Sequence, residues 1–126
     1  MNLVLIRGLP GSGKTTIAKT MDGYFHVEAD MYFETDDGYK FNPSKLADAH
    51  AWCLDSSDRA LSNGLDVVVA NTFTTLHEMQ PYINLASKHA ACRLSVIEAK
   101  GRFPSVHNVP YPTIRRMMSR WEDYTV

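Results

Sequence analysis

The sequence predicts an α/β fold: a mainly parallel sheet of about four to five strands with helices on both faces. Three observations carry this. The strand-like run Asn2-Leu3-Val4-Leu5-Ile6-Arg7 passes through a glycine-rich loop, Gly8-Leu9-Pro10-Gly11-Ser12-Gly13-Lys14-Thr15, into the helix-like run Thr16-Ile17-Ala18-Lys19-Thr20-Met21. Strand-like and helix-like segments then alternate to the end, which implies right-handed crossovers between parallel strands. Asp66-Val67-Val68-Val69-Ala70 is β-branched and apolar at consecutive positions, as a strand buried on both faces requires.

The elements follow in order. After the first strand, loop and helix, Tyr24-Phe25-His26-Val27-Glu28-Ala29 is a second short strand ending at Asp30. Glu34-Thr35-Asp36-Asp37-Gly38 is a loop of turn formers. Asn42 is a good N-cap and Pro43 a good first helical residue. Leu46, Ala49, His50, Cys53, Leu54, Ser57, Ala60 and Leu61 then keep helical spacing, and Asn63-Gly64 stops the helix. The strand at 66–70 ends in the polar pair Asn71-Thr72. A helix follows over 75–89, with Pro81 either kinking it or starting its main part. Arg93-Leu94-Ser95-Val96-Ile97 is the fourth strand. A Gly/Pro-punctuated segment over 99–110 precedes a last helix over 112–123.

The loop from Gly8 to Thr15 is a complete phosphate-binding P-loop in its required context, between a strand and a helix. Its glycines allow backbone conformations that turn consecutive N–H groups toward phosphate oxygens. Gly8, Pro10, Gly11, Ser12, Gly13, Lys14, Thr15 and Thr16 are the candidate nucleotide-binding residues. Lys14 would reach the β- and γ-phosphates of a nucleoside triphosphate, and the Thr15 hydroxyl would bind Mg²⁺. In parallel sheets ligands gather at the C-terminal strand ends. Here those ends carry the P-loop, Asp30, Asn71-Thr72 and the segment from Glu98 to Arg102.

Size and charge narrow the function class. With 126 residues, the chain is read as one domain over 1–126, with no room for the added domains of motors, transporters or large ATPases. No run is apolar enough to cross a bilayer, and the N-terminus lacks the basic start of a signal peptide, so a cytoplasmic setting is expected. Cys53 and Cys92 read as reduced, packed thiols. A formal net charge of −1 argues against non-specific coating of nucleic acid. It leaves room for a local basic groove, and Lys100, Arg102, Arg115, Arg116 and Arg120 concentrate near the C-terminus.

The P-loop, Ala29-Asp30-Met31-Tyr32-Phe33, Tyr39-Lys40-Phe41-Asn42-Pro43 with His50, Val67 to Thr72, and His107-Asn108-Val109-Pro110 with Ile114 and Met117 occur in the order seen in small P-loop kinases. The pattern resembles the 5′-polynucleotide kinase domain and covers nearly the whole chain. The resemblance implies a three-layer P-loop kinase fold and an ATP-dependent, Mg²⁺-dependent kinase that phosphorylates a hydroxyl of a nucleic acid or nucleotide. It implies that Asp30 is the general base, Lys14 a catalytic cation, and Arg102, with Lys100 and Arg120 behind it, the lid arginine of the 99–110 segment. Related small kinases act on other hydroxyls, including hydroxymethyl groups of modified DNA bases.

The chain departs from that pattern twice. A short Gly101-Arg102-Phe103-Pro104-Ser105 stretch replaces the usual lid helix. Relatives usually carry an aspartate at the end of the third strand, where this chain has Ala70. Thr15 then remains as the direct metal ligand, with Asn71, Thr72 or Asp30 left to hold metal-bound water. The missing carboxylate keeps a second class open, a nucleotide sensor or slow NTPase without an acceptor. Asp30, Tyr32, Asn71 and Thr72 are the candidate acceptor-side residues. The aromatics Tyr32, Phe33, Tyr39 and Phe41 suit either stacking on a base or packing of a substrate loop. His50 faces either the site or, more in keeping with its helix, the core. His107 reads as a surface residue of the lid-return loop.

Overall fold

The computed structural model describes residues 1–104 and 108–125. Ser105 and His107 of the lid segment lie outside them. Strand β1 (Asn2–Arg7) leads through the P-loop to helix α1 (Lys14–Lys19). Strand β2 (Phe25–Val27) is followed by a 3₁₀ turn, Ala29–Phe33, and by a small hairpin of β3 (Glu34–Thr35) and β4 (Gly38–Tyr39). Helix α2 (Leu46–Ser62) is entered through a 3₁₀ turn, Pro43–Lys45. Then come β5 (Val67–Asn71), α3 (Leu76–Lys88), β6 (Arg93–Glu98) and α4 (Tyr111–Arg120).

The main sheet has four parallel strands in the order β2-β5-β1-β6. Every residue of β5 is buried, as its unbroken apolar run requires, because the strand has a neighbour on each side and a layer on each face. On one face Leu3, Leu5, Val27, Val67 and Val69 pack with Ala49, Cys53 and Leu61 of α2 and Met79, Tyr82 and Leu85 of α3. On the other, Val4, Ile6, Val68 and Ala70 pack with Ala18 of α1 and with Ile17, Met21 and Tyr24. Each fully buried Val or Leu contributes about 1.5–3 kcal/mol, so Leu3 and Leu5 of β1 with Val67, Val68 and Val69 of β5 anchor the domain.

Several boundaries differ from the sequence reading. Helix α1 begins at Lys14, inside the P-loop motif, because the loop turns directly into its first turn. The expected second strand, Tyr24 to Ala29, keeps only Phe25–Val27. After Val27 the chain tightens into the 3₁₀ turn, since the Ala29 amide is drawn to the Asn71 side chain. Asn42 caps as expected, accepting from the Ser44 amide at 3.1 Å, but it caps the 3₁₀ turn that precedes α2. Gly64, with φ of 78°, ends α2 as foreseen. Thr75 caps α3, and the helix runs on through Pro81. Helix α4 stops at Arg120, three residues short of the expected end. There the Glu122 amide donates to the Thr74 carbonyl at 2.8 Å and pulls the tail onto the sheet. Cys53 and Cys92 are free thiols. Among the described residues no helix is long and apolar enough to cross a membrane.

Candidate active site

The P-loop is fixed by close packing. Leu9 to Ser12 form a turn closed by a 3.0 Å bond from the Ser12 amide to the Leu9 carbonyl. Pro10 supplies its fixed φ, and Gly11, with φ of 81°, takes the position that demands a left-handed backbone. Gly13, with φ of 94°, precedes α1 and accepts from the Ile17 amide. Gly8 has no room for a side chain, because a Cβ would lie 2.8 Å from the Ala99 carbonyl oxygen. Its amide donates to the Thr72 carbonyl at 3.2 Å, which locks the loop to the end of β5.

The side chains of the loop suit a polyphosphate. The Ser12 hydroxyl is buried and has no hydrogen-bond partner among the described residues. Lys14 folds across the loop, its Nζ donating to the Leu9 carbonyl at 3.0 Å. Burial lowers its pKa, and the carboxylates of Glu28 and Asp30 oppose that shift. An ammonium held partly out of water, beside an unused buried hydroxyl, fits an incoming anion. Thr16 is exposed on α1. Thr15 is exposed too, but its hydroxyl donates to the Glu28 carboxylate, at 2.8 Å to Oε2. His26 Nε2 lies 2.7 Å from the same oxygen.

Of the acceptor-side candidates, Asp30 and Tyr32 lie on the 3₁₀ turn after β2, and Asn71 and Thr72 at the end of β5. Asp30 is exposed on the 3₁₀ turn, and Tyr39 Oη donates to its Oδ1 at 3.2 Å. Desolvation, with the nearby Asp30 charge, pushes the Tyr39 phenol up to about 12. Asn71 behaves differently from its expected substrate role. Its side chain is buried, its Oδ1 accepts from the Ala29 amide at 2.9 Å, and its amide nitrogen contacts Cys53 Sγ at 3.7 Å. It therefore holds the backbone beside Asp30, and its two ends are already engaged. Thr72 takes part through its carbonyl. The aromatic loop residues pack on one another: Phe33 is buried, edge-on to Phe41 and Tyr39, and Tyr32 lies 6.0 Å from Trp52. Phe33 anchors these rings by packing, while Tyr32 and Phe41 remain exposed.

A cavity of about 320 Å³ opens between α2 and α3, lined by His50, Leu54, Asn71, Phe73, His77 and Tyr82 among others. His50 is exposed and faces this cavity, so its core-facing expectation is corrected. A second cavity of about 340 Å³ lies on the other side of the P-loop, between Leu9, Ser12, Lys100, Arg102, Met118 and Trp121. The Gly101 amide donates to the Ser12 carbonyl at 3.0 Å and the Phe103 amide to the Gly11 carbonyl at 2.7 Å. Arg102 is thus held between two residues bonded to the P-loop, with Lys100 beside it. Arg120 is not a lid residue here, because its Nε donates to Thr74 Oγ1 at 2.9 Å.

Two contributors escaped the sequence reading. Glu28 had looked like one position of a strand. Arg7 is the larger omission: wholly buried, it donates to the Phe73 carbonyl from Nε and Nη2, at 3.0 and 2.7 Å, and to the Glu122 carbonyl at 2.6 Å. An arginine closing an otherwise apolar strand was the available signal, since arginine is almost never fully buried without partners.

The strand order, the P-loop and the converging strand ends define a P-loop domain of kinase-like fold. The chain belongs to the AAA domain family (AAA_33), which it matches over residues 3–102. It is 35% identical over 92 residues to NEDD4-binding protein 2 of Homo sapiens, a match that takes in 69% of this chain and 5% of that protein. The chain thus spans only a small part of this curated relative. Among solved structures, it superposes on a chain of the Pnkp1/Rnl/Hen1 RNA repair complex with a TM-score of 0.67, at 21% identity, covering 94% of this chain and 43% of that one. A gluconokinase from Sinorhizobium meliloti 1021 superposes with a TM-score of 0.61, at 16% identity, covering 97% of this chain and 75% of that one. Both likenesses are of fold.

Proposed function

We propose that this chain is an ATP-dependent kinase that transfers the γ-phosphate to a hydroxyl of a nucleic acid or nucleotide. One observation supports the reading: Asp30 stands on the turn after β2, where Asn71, a residue lining the cavity between α2 and α3, holds the neighbouring Ala29 amide, and its charge acts on Lys14 of the P-loop. Phosphoryl transfer asks the protein for alignment, charge neutralisation and a base near the acceptor. Asp30 is the base in this reading, its carboxylate accepting the proton of the attacking hydroxyl while Tyr39 orients it. Lys14 exchanges the Leu9 carbonyl for phosphate oxygens. Gly8, Pro10, Gly11, Ser12 and Gly13 shape the phosphate cradle, and Thr16 flanks it on the first turn of α1. Arg102, held by its neighbours' bonds to the P-loop, meets charge developing on the transferred group. The cavity beside Leu9 and Trp121 suits the nucleobase of ATP. Mg²⁺, when bound through the Thr15 hydroxyl, would offset the charge of the β- and γ-phosphates.

The likeness to a chain of an RNA repair complex supports a nucleic-acid hydroxyl, and the gluconokinase likeness supports keeping a sugar hydroxyl among the acceptors tested. Ala70, which leaves the end of β5 without a carboxylate, favours a second reading as a nucleotide sensor or slow NTPase. A screen with γ-labelled ATP separates the two. The acceptors are 5′-hydroxyl DNA and RNA, nucleosides, hydroxymethyl-base DNA and gluconate. Label on a nucleic acid or nucleoside supports the proposal. Label on gluconate alone replaces its acceptor class, and release of inorganic phosphate with every acceptor unlabelled overturns it in favour of the second reading.

A further inference from the structure

We infer that Glu28 supplies the metal-site carboxylate that the end of β5 lacks, so the acidic arm of the Mg²⁺ site has moved one strand sideways, from β5 to β2. The inference rests on reading the P-loop as an ATP site. Register makes the move visible. Val27 pairs with Val69, so Glu28 stands one residue further, level with Ala70 on the neighbouring strand. Ala70 belongs to the cluster that packs with α1, and the Glu28 carboxylate reaches that same side, since it accepts from Thr15 on the first turn of α1 at 2.8 and 3.1 Å. A carboxylate rooted at Ala70 would share that face. The small side chain at 70 leaves the space to an acid from next door.

The chemistry of the contact fits. A threonine hydroxyl has one proton and two lone pairs. Donating the proton to Glu28 turns a lone pair away from that carboxylate, toward the mouth of the P-loop, and the negative charge makes the oxygen a better donor to a hard cation. The two carboxylate oxygens retain lone pairs for metal-bound water. His26, 2.7 Å from Glu28 Oε2, fixes the side chain from behind, and the Asn71 bond to the Ala29 amide fixes the backbone beside it. Among the described residues no three His, Cys, Asp or Glu side chains come together to hold a metal alone. Thr15 and Glu28 would therefore bind the cation jointly with phosphate oxygens and water, as a nucleotide-carried Mg²⁺ requires.

The test uses calorimetric titration of a non-hydrolysable ATP analogue, with Mn²⁺ or with chelator, and electron paramagnetic resonance to count bound Mn²⁺. Wild-type protein should bind the analogue more tightly with Mn²⁺ than with chelator. Glu28→Gln should remain folded, bind the analogue in chelator at least as tightly as wild type because a carboxylate beside the polyphosphate is removed, and lose the Mn²⁺-dependent gain by 10-fold or more. Moving the acid back, in the Ala70→Asp, Glu28→Gln double variant, should restore the gain. Full Mn²⁺ affinity in Glu28→Gln overturns the inference. So does a wild-type protein indifferent to Mn²⁺, although its analogue binding would leave the ATP site standing. Absence of analogue binding under both conditions would sink the ATP reading as well.

Discussion

The guanidinium of Arg7 lies 4.1 Å from the ring centroid of Trp121, and this pair clamps the C-terminal tail to the strand that enters the P-loop. Three backbone carbonyls, of Phe73, Thr74 and Glu122, also converge on the guanidinium. Arg7→Met keeps the stem but takes the guanidinium from the Phe73 and Glu122 carbonyls, while the Thr74 carbonyl keeps the Glu122 amide, and should cost about 3 kcal/mol. Trp121→Ala leaves the hydrogen bonds intact and should cost about 1–2 kcal/mol. Urea unfolding of both variants checks the order. A Trp121→Ala loss equal to that of Arg7→Met would mean that the ring, not the carbonyl cage, secures the tail.

Gly8 and Lys14 separate the shape of the phosphate cradle from its charge. Gly8→Ala drives a methyl to within 2.8 Å of the Ala99 carbonyl oxygen, so both stability and ATP affinity should fall. Lys14→Ala removes a cation that burial already disfavours. It should leave the melting temperature near that of wild type while abolishing measurable ATP binding. Calorimetry of the two variants tests the split.

Asp30→Asn keeps the shape and the contact with Tyr39 but removes the base. Transfer should fall by about 10²–10⁴-fold with ATP affinity within roughly twofold of wild type. Single-turnover transfer and equilibrium binding, measured side by side, decide it. Transfer at the wild-type rate would remove Asp30 from the chemistry.

Arg102→Ala should lower kcat by about 10²-fold and change ATP affinity far less, as expected of a group that meets charge only in the transition state. An equal loss in both quantities would assign Arg102 to ground-state binding. Arg120→Ala, whose side chain is committed to Thr74, should change stability more than kcat.

Tyr39 sets a pH dependence. Its phenol is raised to about 12 from an ordinary 10, so the folded state holds the proton more tightly than the unfolded chain. Its contribution to stability is whole below pH 10 and is lost as the pH climbs from 10 to 12. Tyr82 and Cys53 are also raised by burial, which steepens the alkaline loss. Tyr39→Phe should therefore show a shallower fall in melting temperature between pH 9.5 and 11.5 than wild type. Parallel slopes would show that folding does not raise the phenol.

Local pattern alone determined the P-loop, the alternation of strands and helices, the buried β5 run and the Asn42 and Gly64 boundaries. Each depends on the residue's own backbone preference or on spacing within a few positions, and such signals survive in a one-dimensional string. Tertiary structure decided the rest, because those features depend on which residues meet across the sheet. Asn71 turned inward because the Ala29 amide, in the turn after the neighbouring strand β2, needed an acceptor. His50 faced a cavity because α3 packs beside its helix. Helix α4 ended early because Thr74 and Arg7 seized the tail. Ala70 looked like a missing acid in sequence, but the parallel register sets Glu28 beside it, with its carboxylate on the hydroxyl of Thr15. No spacing within the chain encodes that neighbour, since it exists only once β2 has paired with β5.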